Sequence, residues 1–182
     1  MIFPHIIWLG LVLLVIGLYG VVRFWPEGGS AKTFSQHIAH HKAGVLYYIL
    51  LFTIVLPIFA TFFYYWFIPT YNPIAIFSTL IFIGLLAQYL CTFVPEVGTK
   101  RKAVHQGLAF ISALGLLFAI GAALLSNSFS ITDKVCLAVG FLAMTILLSV
   151  LIAARANHPK ILYIQIGYFV AFFASILLVV YF

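Results

Sequence analysis

Six apolar stretches, each long enough to cross a lipid bilayer, constrain this chain more than any other feature of its sequence. They cover residues 3–24, 44–67, 73–94, 104–125, 135–154 and 161–182. A helix needs about 20 apolar residues to span the hydrocarbon core, and the intervening segments carry the Pro, Gly, Asn and Ser typical of turns. We therefore predict an all-α fold, an integral membrane six-helix bundle that forms a single domain over residues 1–182.

The shortage of charged side chains excludes a soluble domain. Only 7% of the residues are Asp, Glu, Lys or Arg, and 65% are hydrophobic, whereas a soluble domain has about 25% charged residues. The net charge of +6 is not concentrated in a polybasic arm. Membrane lipid is therefore the expected partner, and nucleic acid is not.

The basic residues are distributed unevenly among the predicted loops. Loops two and four contain only Lys134, and the odd loops contain the other eight of the nine Lys and Arg residues. These eight are Arg23, Lys32, Lys42, Lys100, Arg101, Lys102, Arg155 and Lys160. Because cytoplasmic loops are enriched in Lys and Arg, we predict that the odd loops face the cytoplasm of a prokaryotic inner membrane and that both termini lie outside.

Two of the predicted cytoplasmic loops resemble each other. Both contain Phe-x-Pro-Glu-x-Gly followed by Ser or Thr, then a Lys, and a His about ten residues after the Glu. The first motif runs from Phe24 to His37 and the second from Phe93 to His105. Since two of the three acidic residues of the chain occupy this pattern, we predict that the bundle is built from repeated two-helix hairpins.

Histidine and glutamate side chains on this side of the membrane suggest a metal site. If Ser35 caps a helix that runs into the second span, His37 and His41 share one helix face at i, i+4 spacing. Glu96 and His105 supply two further candidate ligands from the second motif. Zinc favours such nitrogen and oxygen ligands, and an open coordination position would activate water. A metal-dependent membrane hydrolase acting on a lipid is therefore one hypothesis for the function.

Two other functions fit parts of the same pattern. A heme could be held between His37 or His41 and His105, because imidazole is a common axial ligand of heme iron. A non-catalytic scaffold could bind a partner helix through the small residues that recur every fourth position from Gly115 in span four. The sequence leaves both a homo-oligomer and a partner membrane protein open.

Polar side chains predict a ligand site on the cytoplasmic side. Gln88 and Gln165 lie within spans, where polar groups usually face a bundle interior or cavity, although hydrogen bonds between helices are an alternative role. Glu27, Lys100 and Arg101 lie in the motif loops, and the basic pair is suited to phosphate. The preferred hypothesis is that the protein binds a lipid headgroup or a small anionic ligand at its cytoplasmic face.

The motifs also resemble those of known membrane proteins. Residues 93–96, Phe-Val-Pro-Glu, and 104–110, Val-His-Gln-Gly-Leu-Ala-Phe, resemble a prokaryotic six-helix family classified as a domain of unknown function, as does the segment 35–42. More distantly, the chain is similar to the DRAM/Frag-type family, which has a similar Val-His followed by Gly-Ala and Phe. The resemblance implies a compact six-helix bundle with a lipid-linked or regulatory role. That family is drawn with a cytoplasmic N-terminus, whereas the charges here place the N-terminus outside.

Overall fold

The structure is a computed structural model that describes residues 3–153 and 158–182. Within these ranges every regular element is helical, as predicted for an all-α fold. The α-helices are α1 (Ile6–Phe24), α2 (Phe34–Ile38), α3 (Lys42–Phe62), α4 (Ile68–Tyr71), α5 (Ala75–Thr92), α6 (Gly98–Leu125), α7 (Ile131–Ala153) and α8 (Ile161–Tyr181). Turns of 3-10 helix occupy Phe3–His5 and Gly29–Ala31, and the π-helical turn Phe63–Phe67 joins α3 to α4.

Six helical segments are long and apolar enough to cross a membrane, so the chain is a multi-pass integral membrane protein. The segments are Phe3–Phe24, Lys42–Tyr71, Ala75–Thr92, Thr99–Leu125, Ile131–Ala153 and Ile161–Tyr181. They confirm the six predicted spans, with one difference of consequence. Helix α6 begins at Gly98 and not at residue 104, because the intervening Lys, Arg and Ala residues favour a helix. Lys100 and Arg101 therefore lie on a helix and not in a loop.

Neighbouring helices pack as three hairpins. Helix α1 packs against α3, α5 against α6, and α7 against α8. Helix α6 also packs against α7, and α3 against α5, so the hairpins associate into one bundle. This arrangement agrees with the predicted two-helix units. Arg155, one of the basic residues in the predicted topology, lies outside the described residues.

The two ends of the bundle differ in how their interiors are filled. The end at which residues 24–41 and 93–98 connect the helices is called the motif end below. At the opposite end, phenylalanine rings fill the interior: Phe63, Phe67 and Phe77 are all 0% exposed. Apolar side chains also cover the outer surface of the bundle, as expected where lipid replaces water as the solvent. Space for a ligand with a polar group is therefore expected at the motif end.

Helices α5 and α6 approach each other closely at Gly84 of α5 and Gly115 of α6. A Cβ atom on Gly115 would lie 2.9 Å from the backbone nitrogen of Gly84 and 3.1 Å from the carbonyl oxygen of Leu80. Ala119 and Ala123, which continue the stripe of small residues, are both 0% exposed. The stripe is therefore used inside the bundle, which corrects the expectation that it offers a surface to a partner helix.

An apolar groove of about 740 Å³ lies between helices α1 and α8. Leu14 and Tyr19 of α1 and Phe173 of α8 are among its lining residues. Trp8, which also lines the groove, donates a hydrogen bond of 2.9 Å from Nε1 to the hydroxyl of Tyr181. Helix α8 therefore has an apolar groove on the side facing α1, and its other side faces the cavity described next.

Candidate functional site

A cavity of about 500 Å³ lies at the motif end of the bundle. Its polar wall includes Thr33, Ser35, Gln88, Glu96, His105, Gln106 and Gln165, and its apolar wall includes Phe110, Leu116, Leu148, Ile152 and Phe169. Phe110 of α6 and Ile152 of α7 are 41% and 55% exposed. The cavity therefore reaches the outer surface of the bundle between these two helices.

Glu96 places a carboxylate in this cavity and links separate parts of the chain. Its side chain is buried, with 9% of the residue exposed. Ser35 Oγ donates to Oε2 at 3.1 Å, and Gln36 Nε2 donates to Oε1 at 3.0 Å. From the other side, Gln106 Nε2 donates to Oε1 at 3.1 Å. The carboxylate therefore holds α2, which carries Ser35 and Gln36, against α6, which carries Gln106.

Helix α2 is short but has a well-formed start. The Thr33 side chain accepts a hydrogen bond from the backbone nitrogen of Gln36, and the Gln36 side chain accepts one from Thr33 N, which forms a capping box. The cap is therefore Thr33 and not Ser35 as predicted, which leaves the Ser35 hydroxyl able to reach Glu96. Gln165 Oε1 of α8 accepts a hydrogen bond of 3.3 Å from the backbone nitrogen of Phe34. The start of α2 is thus held by α8 as well.

The predicted helical pairing of His37 with His41 is wrong. Helix α2 ends at Ile38 and α3 begins at Lys42, and His41 between them has an extended backbone. The chain turns at this point, so the two histidines do not share a helix face. His37 is 0% exposed, with Nδ1 2.8 Å from the carbonyl oxygen of Trp25 and Nε2 3.0 Å from that of Gly29. A neutral ring donates one of these hydrogen bonds, and an imidazolium donates both.

Glu27 and His41 form a separate pair at the surface. His41 Nε2 lies 2.6 Å from Glu27 Oε1, and Lys32 Nζ lies 3.7 Å from Oε2. The hydrogen bond with His41 is the main reason why the pKa of Glu27 is lowered from its ordinary value of 4.5, with smaller contributions from the nearby positive charges. None of these three side chains lines the cavity. Glu27 is therefore not part of the site that contains Glu96.

His105 repeats the contact that His37 makes in the first motif. His105 Nδ1 donates to the carbonyl oxygen of Val94 at 2.6 Å, and His37 Nδ1 contacts the carbonyl oxygen of Trp25. Val94 and Trp25 each precede the proline of their motif. Proline ends a helix and leaves the last carbonyl groups without intrahelical donors, and the histidine supplies a donor. The histidines of the two motifs therefore make the same contact with the residue before the proline.

His105 also contacts Cys91, which lies in the last turn of α5. Cys91 Sγ lies 3.4 Å from each ring nitrogen of His105 and 3.5 Å from its carbonyl oxygen. The thiol is buried and is not among the residues that line the cavity. Cys91 therefore packs against the His105 ring and lies outside the lining of the cavity.

The structure does not bring the four predicted metal ligands together. The His37 ring faces two carbonyl groups, His41 pairs with Glu27, His105 donates to Val94, and Glu96 accepts from three neutral donors. In residues 3–153 and 158–182, no three His, Cys, Asp or Glu side chains are grouped so that they could hold a metal ion. The same contacts engage the three histidines predicted as heme ligands. The geometry therefore offers no assembled centre for either hypothesis.

The predicted ligand-binding residues separate into two groups. Gln88 and Gln165 line the cavity together with Glu96, as predicted for polar residues within spans. Lys100 and Arg101 are exposed on the first turns of α6 and are not among the lining residues. Over the described part of the chain, the lining contains a carboxylate and no Lys or Arg side chain. This site therefore differs from the phosphate site that the basic residues predicted.

Sequence reasoning missed that Gln36 and Gln106 are partners of Glu96. Each is adjacent in the chain to the histidine of its motif, since Gln36 precedes His37 and Gln106 follows His105. Each motif histidine forms a hydrogen bond with a carbonyl group at the end of the preceding helix. The residues next to the histidine in the chain therefore lie at the same end of the bundle. The position of each glutamine next to a motif histidine is the sequence signal that could have identified both residues.

Comparison with family models, with curated proteins and with solved structures finds no match for this chain. The resemblance to the DRAM/Frag-type family therefore stays a prediction.

Proposed function

We propose that this protein binds a membrane lipid in the cavity that contains Glu96. The polar head of the lipid would contact the polar wall, and part of its apolar chain would lie against Leu116, Leu148 and Phe169. The supporting observation is that one cavity combines these two kinds of lining and reaches the surface at Phe110. A ligand pocket of this kind is mostly apolar, with a few polar groups that fix the orientation of the ligand.

The lining favours a lipid over the small anionic ligand that the sequence also suggested. A carboxylate repels an anion, and within the described residues no Lys or Arg side chain lines the cavity to offset that repulsion. A small polar ligand would also leave the apolar wall without a partner. The basic residues Lys100 and Arg101 are exposed on α6, where they are suited to the phosphate groups of the surrounding bilayer.

We further propose that the motif end faces the cytoplasm of a prokaryotic inner membrane, with both termini outside. Eight of the nine basic residues of the chain lie in or next to the segments that the sequence predicts as odd loops, and such an excess marks the cytoplasmic side. Alkaline phosphatase fused after Phe182 is expected to be active, because this reporter folds only outside the cytoplasm. The same reporter inserted after Gly98 should be inactive. The opposite pattern would reverse the proposed orientation.

Filling the cavity is the direct test of lipid binding. Ala109 of α6 lines the cavity, and Ala109→Trp would place an indole ring where the lipid is proposed to lie. We expect bound lipid, measured by native mass spectrometry of the detergent-purified protein, to fall by at least about tenfold. The matched control is Ala103→Trp, because Ala103 is on the same helix but exposed and outside the lining.

The outcome is informative only if the Ala109→Trp variant folds, so thermal unfolding of both variants is compared with that of the native protein. Ala109→Leu provides a smaller obstruction and should reduce lipid binding to an intermediate level. If Ala109→Trp is folded and retains as much lipid as Ala103→Trp, the proposed function is wrong.

A further inference from the structure

Glu96 brings a negative charge into the bundle without a cationic partner in the described part of the chain. Over residues 3–153 and 158–182, the ion pairs within 4.0 Å involve Glu27 and do not include Glu96. The three groups that donate to Glu96 are a hydroxyl and two amides, all of which are neutral. A buried charge is costly unless it is paired, so a positively charged ligand group would be favoured here.

The Glu96 carboxylate also retains the capacity to accept another hydrogen bond. An ionised carboxyl group has two oxygens with about four lone-pair sites. Ser35 uses one site on Oε2, and Gln36 and Gln106 use the sites on Oε1. The remaining capacity is therefore on Oε2, in a side chain that lines the cavity. A ligand that donates an N–H to this oxygen would complete the coordination of the carboxylate.

We infer that the cavity selects an amphiphile whose head carries a primary ammonium group, as in phosphatidylethanolamine. This inference rests on the proposed lipid site and specifies the head that the site accepts. The ammonium would donate to Glu96 Oε2 and balance its charge, and Thr33, Gln88 and Gln165 would supply polar contacts to the rest of the head. Because part of the cavity wall is apolar, an amine attached to a hydrocarbon chain fits the cavity better than a small soluble amine does.

Glu96→Gln tests the charge with little change in the surrounding hydrogen bonds. The glutamine Oε1 can accept from Gln36 and Gln106, as Glu96 Oε1 does, and its Nε2 can donate to the Ser35 hydroxyl. The shape of the side chain is kept. A loss of selectivity in this variant would therefore report the lost charge and acceptor, not a rearranged cavity.

The experiment measures binding of three lipids with identical chains to the full-length protein by native mass spectrometry. Phosphatidylethanolamine carries a primary ammonium, phosphatidylcholine carries the same charge without an N–H, and phosphatidylglycerol has no amine. We expect the native protein to bind phosphatidylethanolamine about tenfold more tightly than either of the other lipids. One charge-assisted hydrogen bond is enough to provide a difference in affinity of this size. Glu96→Gln should remove this preference. Ethanolamine in solution, at the same concentration as the lipid, should not displace it.

The failures of the two proposals are distinguishable. If Ala109→Trp abolishes binding of all three lipids but Glu96→Gln leaves their ratio unchanged, the lipid site stands and the ammonium head is rejected. Equal binding of phosphatidylcholine and phosphatidylethanolamine would also reject the N–H donor, and displacement by ethanolamine would reject the amphiphile. If Ala109→Trp binds every lipid as the native protein does, the site itself is rejected.

Discussion

Replacing Gly115 with alanine is expected to lower the free energy of unfolding by about 1–3 kcal/mol, the usual cost of overpacking. The added Cβ would meet backbone atoms of Gly84 at 2.9 and 3.0 Å and the carbonyl oxygen of Leu80 at 3.1 Å. Backbone atoms cannot turn aside as a side chain can, so α5 and α6 would have to separate. Gly115→Leu requires a much larger separation and should yield no folded protein. Unfolding by sodium dodecyl sulfate in mixed micelles measures both effects.

Gly107→Ala is the matched control for Gly115→Ala. Gly107 is on the same helix, and apart from the backbone of that helix no atom of residues 3–153 and 158–182 would lie within 4 Å of a Cβ atom there. Since alanine favours a helix over glycine by about 1 kcal/mol, this variant should be as stable as the native protein or slightly more stable. Equal losses of stability in the two variants would show that the close approach of α5 and α6 is not responsible.

The predictable part of the fold follows from hydropathy. The lengths of the apolar stretches fix six membrane-spanning helices, and the repeated motif indicates that consecutive helices form hairpins, as they do. The start of α6 was predicted too late because its first turns carry Lys100 and Arg101. Hydropathy places such residues outside the membrane but does not show whether their backbone is helical.

The candidate site was predictable in its location but not in its contacts. The alternating direction of the spans predicts that Gln88, Glu96 and Gln165 lie at one end of the bundle, and all three line the cavity. The break between α2 and α3 was missed, because α2 has only five residues and is held by the contacts of Ser35 and Gln36 with Glu96. Contacts between residues so distant in the chain leave no periodic signal in the sequence.

The two motif glutamates show why equivalent residues take different roles. Glu27 is at the surface and pairs with His41, whereas Glu96 is buried and accepts from α2 and α6. In the second motif, the segment after the glutamate continues directly into the long helix α6. In the first motif, the corresponding segment forms the separate helix α2, which lies against Glu96. The site therefore arises where the two motifs differ, through a helix that only the first one has.

Replacing His37 with alanine is expected to lower the free energy of unfolding by about 3–5 kcal/mol. The ring is completely buried and contacts the carbonyl groups of Trp25 and Gly29, so the variant would lose the hydrogen bonding of the ring and leave a cavity in its place. The two carbonyl groups would keep only their backbone donors, the nitrogens of Glu27 and Lys32. His40→Ala is the control, because His40 is close in the chain but exposed. The unfolding measurement used for Gly115 applies, and equal stability of the two histidine variants would contradict this role.

Because His105 makes the same contact as His37, the prediction extends to His105, where a second substitution can restore the lost hydrogen bond. His105→Ala removes the donor to Val94 and should also be destabilised, whereas an asparagine amide nitrogen can occupy the position of Nδ1 and donate to the same carbonyl group. His105→Asn should therefore recover part of the stability that His105→Ala loses. His105→Gln, whose longer side chain places its amide nearer the position of Nε2, should recover less. If the asparagine and glutamine variants are equally stable, the hydrogen bond from Nδ1 to the residue before the proline is not what the repeated histidine contributes.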